Sequence, residues 1–171
     1  MNSKVKHLVR VSLIAAVYTV VSLLIAPFAY GPVQVRLSEA LTVLPLVYQP
    51  AVYGVTLGCF LTNLIGAMSG LNPIGWLDCL FGTVATLLAA WFTCKNRDVT
   101  VINIPVVSLL MPVLFNMVIV GLELAIAFFP TAFVSGWIIS GLEVAAGEIV
   151  SVVIGYILVR SMDKKNVFRE R

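Results

Sequence analysis

Apolar residues run almost unbroken through six stretches of the chain, roughly 8 to 28, 37 to 49, 50 to 68, 73 to 94, 100 to 125 and 136 to 160, each read as a helix crossing about 30 Å of hydrocarbon. The second is short for that distance and runs into Gln49-Pro50, so it must stand nearly upright, borrow length from its flanks, or be shielded by its neighbours. The alternating polarity over about ten residues that a membrane barrel shows is missing. The pattern predicts an all-α membrane protein: a compact bundle of six transmembrane helices in a single domain, residues 1–171.

Composition agrees, with 60% hydrophobic and 11% charged residues and a mean hydropathy of +1.04. Charge adds orientation, because segments rich in Lys and Arg stay on the cytoplasmic side. Lys4, Lys6 and Arg10 open the first stretch, Lys95 and Arg97 follow the fourth, and Arg160, Lys164, Lys165, Arg169 and Arg171 close the sixth. Six spans with both termini cytoplasmic put these ten of the eleven basic residues inside and leave Arg36 outside. The net charge of +3 therefore reports topology and not nucleic-acid binding. The first stretch is longer than a signal-peptide core and lacks a clear small-residue cleavage site, so it reads as a retained span. Cys59, Cys79 and Cys94 have no C-x-x-C spacing and read as buried small residues.

Small residues recur every four positions: Gly54, Gly58, Thr62 and Gly66; Asp78, Gly82, Thr86 and Ala90; Gly147, Ser151 and Gly155. Such seams let helix backbones approach closely where lipid offers no hydrophobic drive to association. Weaker versions in the first stretch are Ser12 with Ala16 and Ala15 with Thr19.

Ionisable residues inside a bilayer cost about 2.5 to 3.5 kcal/mol on insertion scales and are functional candidates by default. Counted at 1.5 Å per residue from the cytoplasmic ends, Asp78 lies about 25 Å up, Asn63 about 20 Å and Glu148 about 18 Å. Glu39, Asn63, Asp78, Glu123, Glu143 and Glu148 all fall at or above the midplane, where one outward-facing cavity can hold them. Arg36 is the one base in that region. Acids in such excess cannot all stay ionised unless something cationic or rich in hydrogen-bond donors compensates them, which points to a ligand of that kind. Helix capping, outside water or interhelical hydrogen bonding are the structural alternatives. Glu39, behind Ser38 at a helix start, suits either reading. It is also placed to pair with Arg36 at i, i+3, worth a few tenths of a kcal/mol. Glu143 lies about 140° round the helix from Glu148 and is left out of the site.

Trp76, two residues before Asp78, is either part of an interfacial aromatic belt or a ring on which a flat heteroaromatic ligand stacks. The sequence holds no phosphate-cradling G-x-x-x-x-G-K-[ST] loop, no H-E-x-x-H pair and no G-x-S-x-G elbow. No cofactor is expected, and an enzyme ranks last among the functions considered, behind a binding subunit of a transporter and a stand-alone proton-coupled carrier.

VQVRLSEAL (33–41), TLGCFLTN (56–63), GWLD (75–78), LELAIAF (122–128) and GEIVSVVIG (147–155) together resemble the QueT family of queuosine-precursor transporters, the substrate-binding S components of energy-coupling factor transporters. The resemblance implies a six-helix subunit that binds a 7-deazaguanine on its outer side. Its implied partners are a transmembrane coupling subunit and two cytoplasmic ATPases, and it would topple in the bilayer to release its cargo. By matching position, the implied ligand residues are Gln34, Arg36, Glu39, Asn63, Asp78, Glu123 and Glu148. S components commonly dock through Ala-x-x-x-Ala in the first helix. Here the corresponding positions are Ser12 with Ala16 and Ala15 with Thr19, a departure from that pattern.

Overall fold

The computed structural model describes residues 2–25, 36–165 and 167, and among them it is all-helical but for one isolated bridge between Val101 and Ile104. Five long helices, α1 (Ser3–Leu24), α2 (Ala51–Ser69), α3 (Trp76–Lys95), α4 (Val106–Phe128) and α5 (Phe133–Lys164), are long and apolar enough to cross a membrane. The sixth, Leu37–Leu46, is a 3-10 helix of 10 residues.

The local chemistry sets the boundaries. Asn2 caps α1 by accepting from the Lys4 amide at 3.2 Å. Pro50 pre-sets the entry to α2, and Gly70, at φ 71°, ends it in the left-handed conformation. The fourth long helix begins six residues later than the apolar run suggests. Val101 to Ile104 close a tight turn with Ile102 and Asn103 at positive φ, and Pro105 then starts the helix.

The short second stretch is where expectation and structure differ most. It is wound as 3-10, not α, so its ten residues rise about 20 Å where an α-helix would rise about 15 Å. It touches all five long helices and buries Ser38, Glu39, Ala40, Thr42, Val43, Leu44 and Pro45. A backbone that protein surrounds is spared contact with lipid, so reduced length is tolerated there.

Around it the long helices pack in chain order, each against the next. The seams carry these contacts. A Cβ on Gly54 would meet Ile14, and one on Gly58 would meet Tyr18, so α1 and α2 are in backbone contact. On α5, a Cβ on Gly155 would strike the Ala40 carbonyl, which brings that helix hard against the 3-10 segment. Small and polar side chains fill the interior of α2, from Gly54 through Thr62 and Asn63 to Gly66, while Tyr53, Leu57, Phe60, Ile65 and Met68 face outward. Large apolar side chains on the outside and small or polar ones within suit a protein whose surroundings are hydrocarbon.

Candidate functional site

Arg36 stands at the start of the 3-10 helix, and its backbone is tied on both sides. Its carbonyl accepts from the Glu39 amide at 2.8 Å and from Ser151 Oγ of α5 at 3.0 Å. The guanidinium, 9% exposed, turns to α3 and donates from Nη2 to Asp78 Oδ2 at 2.8 Å. It makes no bond to Glu39, so the i, i+3 pairing open to the sequence gives way to a tertiary ion pair.

Asp78 is fully buried in the first turn of α3 and is the most heavily bonded acid of the group. Asn72 Nδ2 donates to Oδ2 at 2.8 Å, while Asn63 Nδ2 donates to the Asp78 carbonyl at 2.8 Å and leans on Oδ1 at 3.4 Å. Asn72 owes its position to the turn between α2 and α3, where its Oδ1 accepts from the amides of Ile74 and Gly75. Close approach at Gly82 makes room for this cluster. A Cβ there would collide with Asp78 Oδ1 and come within 2.8 Å of Asn63 Nδ2 and 3.3 Å of Arg36 Nη1.

Glu39, also fully buried, is held by one oxygen. Tyr18 donates its hydroxyl to Oε1, and Thr86 Oγ1 donates to the same atom at 2.9 Å. Among the described residues its Oε2 has no hydrogen-bond partner, nor have Glu148 Oε1 and both oxygens of Glu123. Burial is complete for Glu123 and 96% for Glu148, which is 4% exposed, so these oxygens are short of donors where water does not reach them. Arg36 lies close enough to act electrostatically on Glu39, Glu123 and Glu148 alike. Glu123 also senses Asp78, and Glu148 senses Glu39. The structure thus gathers Arg36, Glu39, Asn63, Asp78, Glu123 and Glu148 from all of its helices except α1, which adds Tyr18.

Other expected residues fall differently. Gln34 lies outside the described residues. Trp76 is 66% exposed at the start of α3, its ring outside the buried cluster. Glu143 is exposed, in keeping with its omission from the site. Along α1, Ala15 and Thr19 are buried against α2, with Thr19 Oγ1 donating to the Gly58 carbonyl at 3.2 Å, whereas Ser12 and Ala16 face outward. A cavity of about 370 Å³ lies elsewhere, lined by Arg10 and by apolar side chains of α1, the 3-10 helix, α5 and Val167, and none of the clustered acids borders it.

Tyr18, Asn72, Thr86 and Ser151 were not among the expected site residues. Asn72-Pro73 is a turn-initiating dipeptide, and Thr86 and Ser151 stand in the sequence only as seam positions. Nothing in the sequence separates Tyr18 from any other aromatic residue in an apolar helix.

Five long apolar helices around a buried polar cluster define a multi-pass transporter of the cell membrane. The family described as "QueT transporter" matches residues 8–164, and the chain belongs to that family. Among curated proteins it is similar to the "Queuosine precursor transporter QueT" of Lactococcus lactis subsp. cremoris (strain MG1363), 27% identical over 89 residues. That alignment takes in 51% of this chain and 48% of the relative, so the chain matches about half of that protein's length. No solved structure matches the chain.

Proposed function

We propose that the chain is a substrate-binding S component that captures a queuosine precursor, a 7-deazaguanine, on the outer face of the membrane. It then passes this cargo inward with a separate coupling subunit and two ATPases. In this reading it is a carrier subunit and not an enzyme, the 3-10 helix counts as a sixth span, and both termini are cytoplasmic. The observation that carries it is the set of buried carboxylate oxygens without donors, on Glu39, Glu123 and Glu148, ranged round one arginine. A deazaguanine presents a ring N–H beside an exocyclic amine, and a carboxylate accepts that pair through two parallel hydrogen bonds. Glu123, with both oxygens unpartnered, is suited to it.

Calorimetry on the purified protein with deazaguanines, guanine and common vitamins tests the assignment. Saturable binding of a deazaguanine, weakened at least tenfold by Glu123→Ala, is expected, since a hydrogen bond to a charged group is worth about 1.5 to 3 kcal/mol. A stronger response to a vitamin would overturn the substrate and leave the family standing.

A further inference from the structure

The last long helix and the first meet through the 3-10 segment: α1 and α5 both pack on Leu37–Leu46 and share no broad face of their own. A 3-10 helix is wound more tightly than an α-helix, and this one does not fill the seam between them. There lies the apolar cavity of about 370 Å³. Buried Ile14 and Leu44 form its floor, while exposed Leu13 and Val17 stand on its rim, so it opens on the surface that faces hydrocarbon. Met162, near the end of α5, closes the far side.

Among the described residues, Arg10 alone brings charge to that wall. Its guanidinium lies over the Tyr48 ring, 5.6 Å to the centroid, a contact with the π-face that leaves its N–H groups able to donate. Nη1 is buried and has no hydrogen-bond partner among the described residues. The same end of the bundle carries Lys4 and Lys6 on α1 and Arg160 and Lys164 on α5, all exposed, against one acid, Asp163.

An apolar groove open to the bilayer, with a buried cationic N–H at one end, matches an amphiphile: an alkyl chain for the groove and an anionic oxygen for the guanidinium, whose fork suits phosphate. A protein helix is too thick for it. One turn of a helix about 10 Å across occupies about 420 Å³, more than the cavity holds.

We propose that the seam between α1 and α5 binds one anionic phospholipid from the leaflet around the two termini, with an acyl chain against Ile14 and Leu44 and the phosphate accepting from Arg10 Nη1. The lipid buttresses the 3-10 segment from behind. Arg36 and Glu39 stand at the start of that segment, so the bound lipid steadies the polar cluster without touching it. The site stands whatever ligand the cluster takes.

Native mass spectrometry of the purified full chain, titrated with a phosphatidylglycerol or with the phosphatidylcholine of the same acyl chains, tests the assignment. The parent protein is expected to hold one phosphatidylglycerol at least about fivefold more tightly than phosphatidylcholine, the share of one basic residue at an anionic headgroup. Arg10→Gln should bring the two lipids within about twofold of each other. Arg160→Gln removes an equal charge from the same end of the bundle but not from the cavity, and should keep the parent's preference. Val17→Trp, which puts a ring into the groove from its rim, should weaken both lipids. In thermal melts phosphatidylglycerol should stabilise the parent and not Val17→Trp, and inorganic phosphate, a headgroup without a chain, should stabilise neither. Equal binding of the two lipids by the parent, which needs no variant to fold, overturns the site. So does a preference that survives Arg10→Gln, or one that Arg160→Gln abolishes as fully, since the lipid then answers to the general charge of that end. Unchanged lipid binding in Val17→Trp puts the chain outside the groove, and stabilisation by phosphate alone leaves only an anion site; either result overturns the proposal.

Discussion

Arg36 reaches Asp78 across 42 residues of chain, Nη2 to Oδ2 at 2.8 Å, while the acid three residues along from it, Glu39, takes its hydrogen bonds from Tyr18 and Thr86. The pair therefore ties the start of the 3-10 helix to the start of α3, and it does so in the interior, where a lone charge is costly.

Removing one partner from a buried ion pair destabilises by about 3 to 5 kcal/mol, because the other charge is left uncompensated. Asp78→Ala is expected to lower the melting temperature of the purified protein sharply and to abolish ligand binding. Replacing both partners by apolar residues of similar size, Arg36→Met with Asp78→Leu, should recover much of the stability and none of the binding. Thermal melts of the two single variants and the double variant check this. Additive losses would show that the two groups act independently.

Gly82 gives a second handle on the same cluster. Alanine normally improves a helix interior by about 1 kcal/mol over glycine. Here its methyl would press on Asp78 Oδ1 and lie 2.8 Å from Asn63 Nδ2, so overpacking of about 1 to 3 kcal/mol opposes that gain. Gly82→Ala is expected to cost ligand affinity more than stability, with a fall of at least fivefold in binding, about 1 kcal/mol. Unchanged affinity in calorimetry would mean that the ion-pair geometry plays no part in recognition.

The seams show what could be read in advance and what could not. Gly54, Gly58, Thr62 and Gly66 are all buried, as are Asp78, Gly82, Thr86 and Ala90, so period and residue size alone located the interior faces of α2 and α3. Hydropathy likewise located the long helices, and the cost of an intramembrane acid singled out Asp78, Glu123 and Glu148. Partner choice was not legible. Thr86 could pack or donate, and only the position of Glu39 across the bundle decides it. The 3-10 winding escaped for a related reason. Buried on almost every side, Leu37–Leu46 has no polar face by which a period of three could be told from one of 3.6.

Tyr18 is the one contribution of α1 to the acids, through its hydroxyl on Glu39 Oε1. Tyr18→Phe keeps the ring that packs on Gly58 and removes only this donor, so a buried acceptor is left short of a hydrogen bond at a cost of about 1 to 3 kcal/mol. A lowered melting temperature is expected, restored in part by Glu39→Gln in the same chain, whose amide accepts fewer hydrogen bonds and brings donors of its own. If the double variant melts below Tyr18→Phe, Glu39 does not depend on the tyrosine.

The two candidate docking pairs on α1 separate by exposure, and this yields the sharpest test of coupling. Ala15 and Thr19 face α2, where a Cβ on Gly58 would come within 3.0 Å of the Ala15 carbonyl and Thr19 bonds the Gly58 carbonyl. Ala15→Leu should therefore overpack the α1–α2 contact by about 1 to 3 kcal/mol and lower the melting temperature. Ser12 and Ala16 lie on the outward face with Leu13, Val17 and Val20, so enlarging them disturbs nothing within the bundle. If that face meets a coupling subunit, Ser12→Leu with Ala16→Leu should leave ligand binding and melting temperature at the parent values while abolishing ATP-dependent uptake in cells that supply the rest of the transporter. Small residues at i, i+4 allow a partner helix to approach to backbone distance, and two leucines would hold it off. Uptake at the parent rate in the double variant would move the docking face away from Ser12 and Ala16.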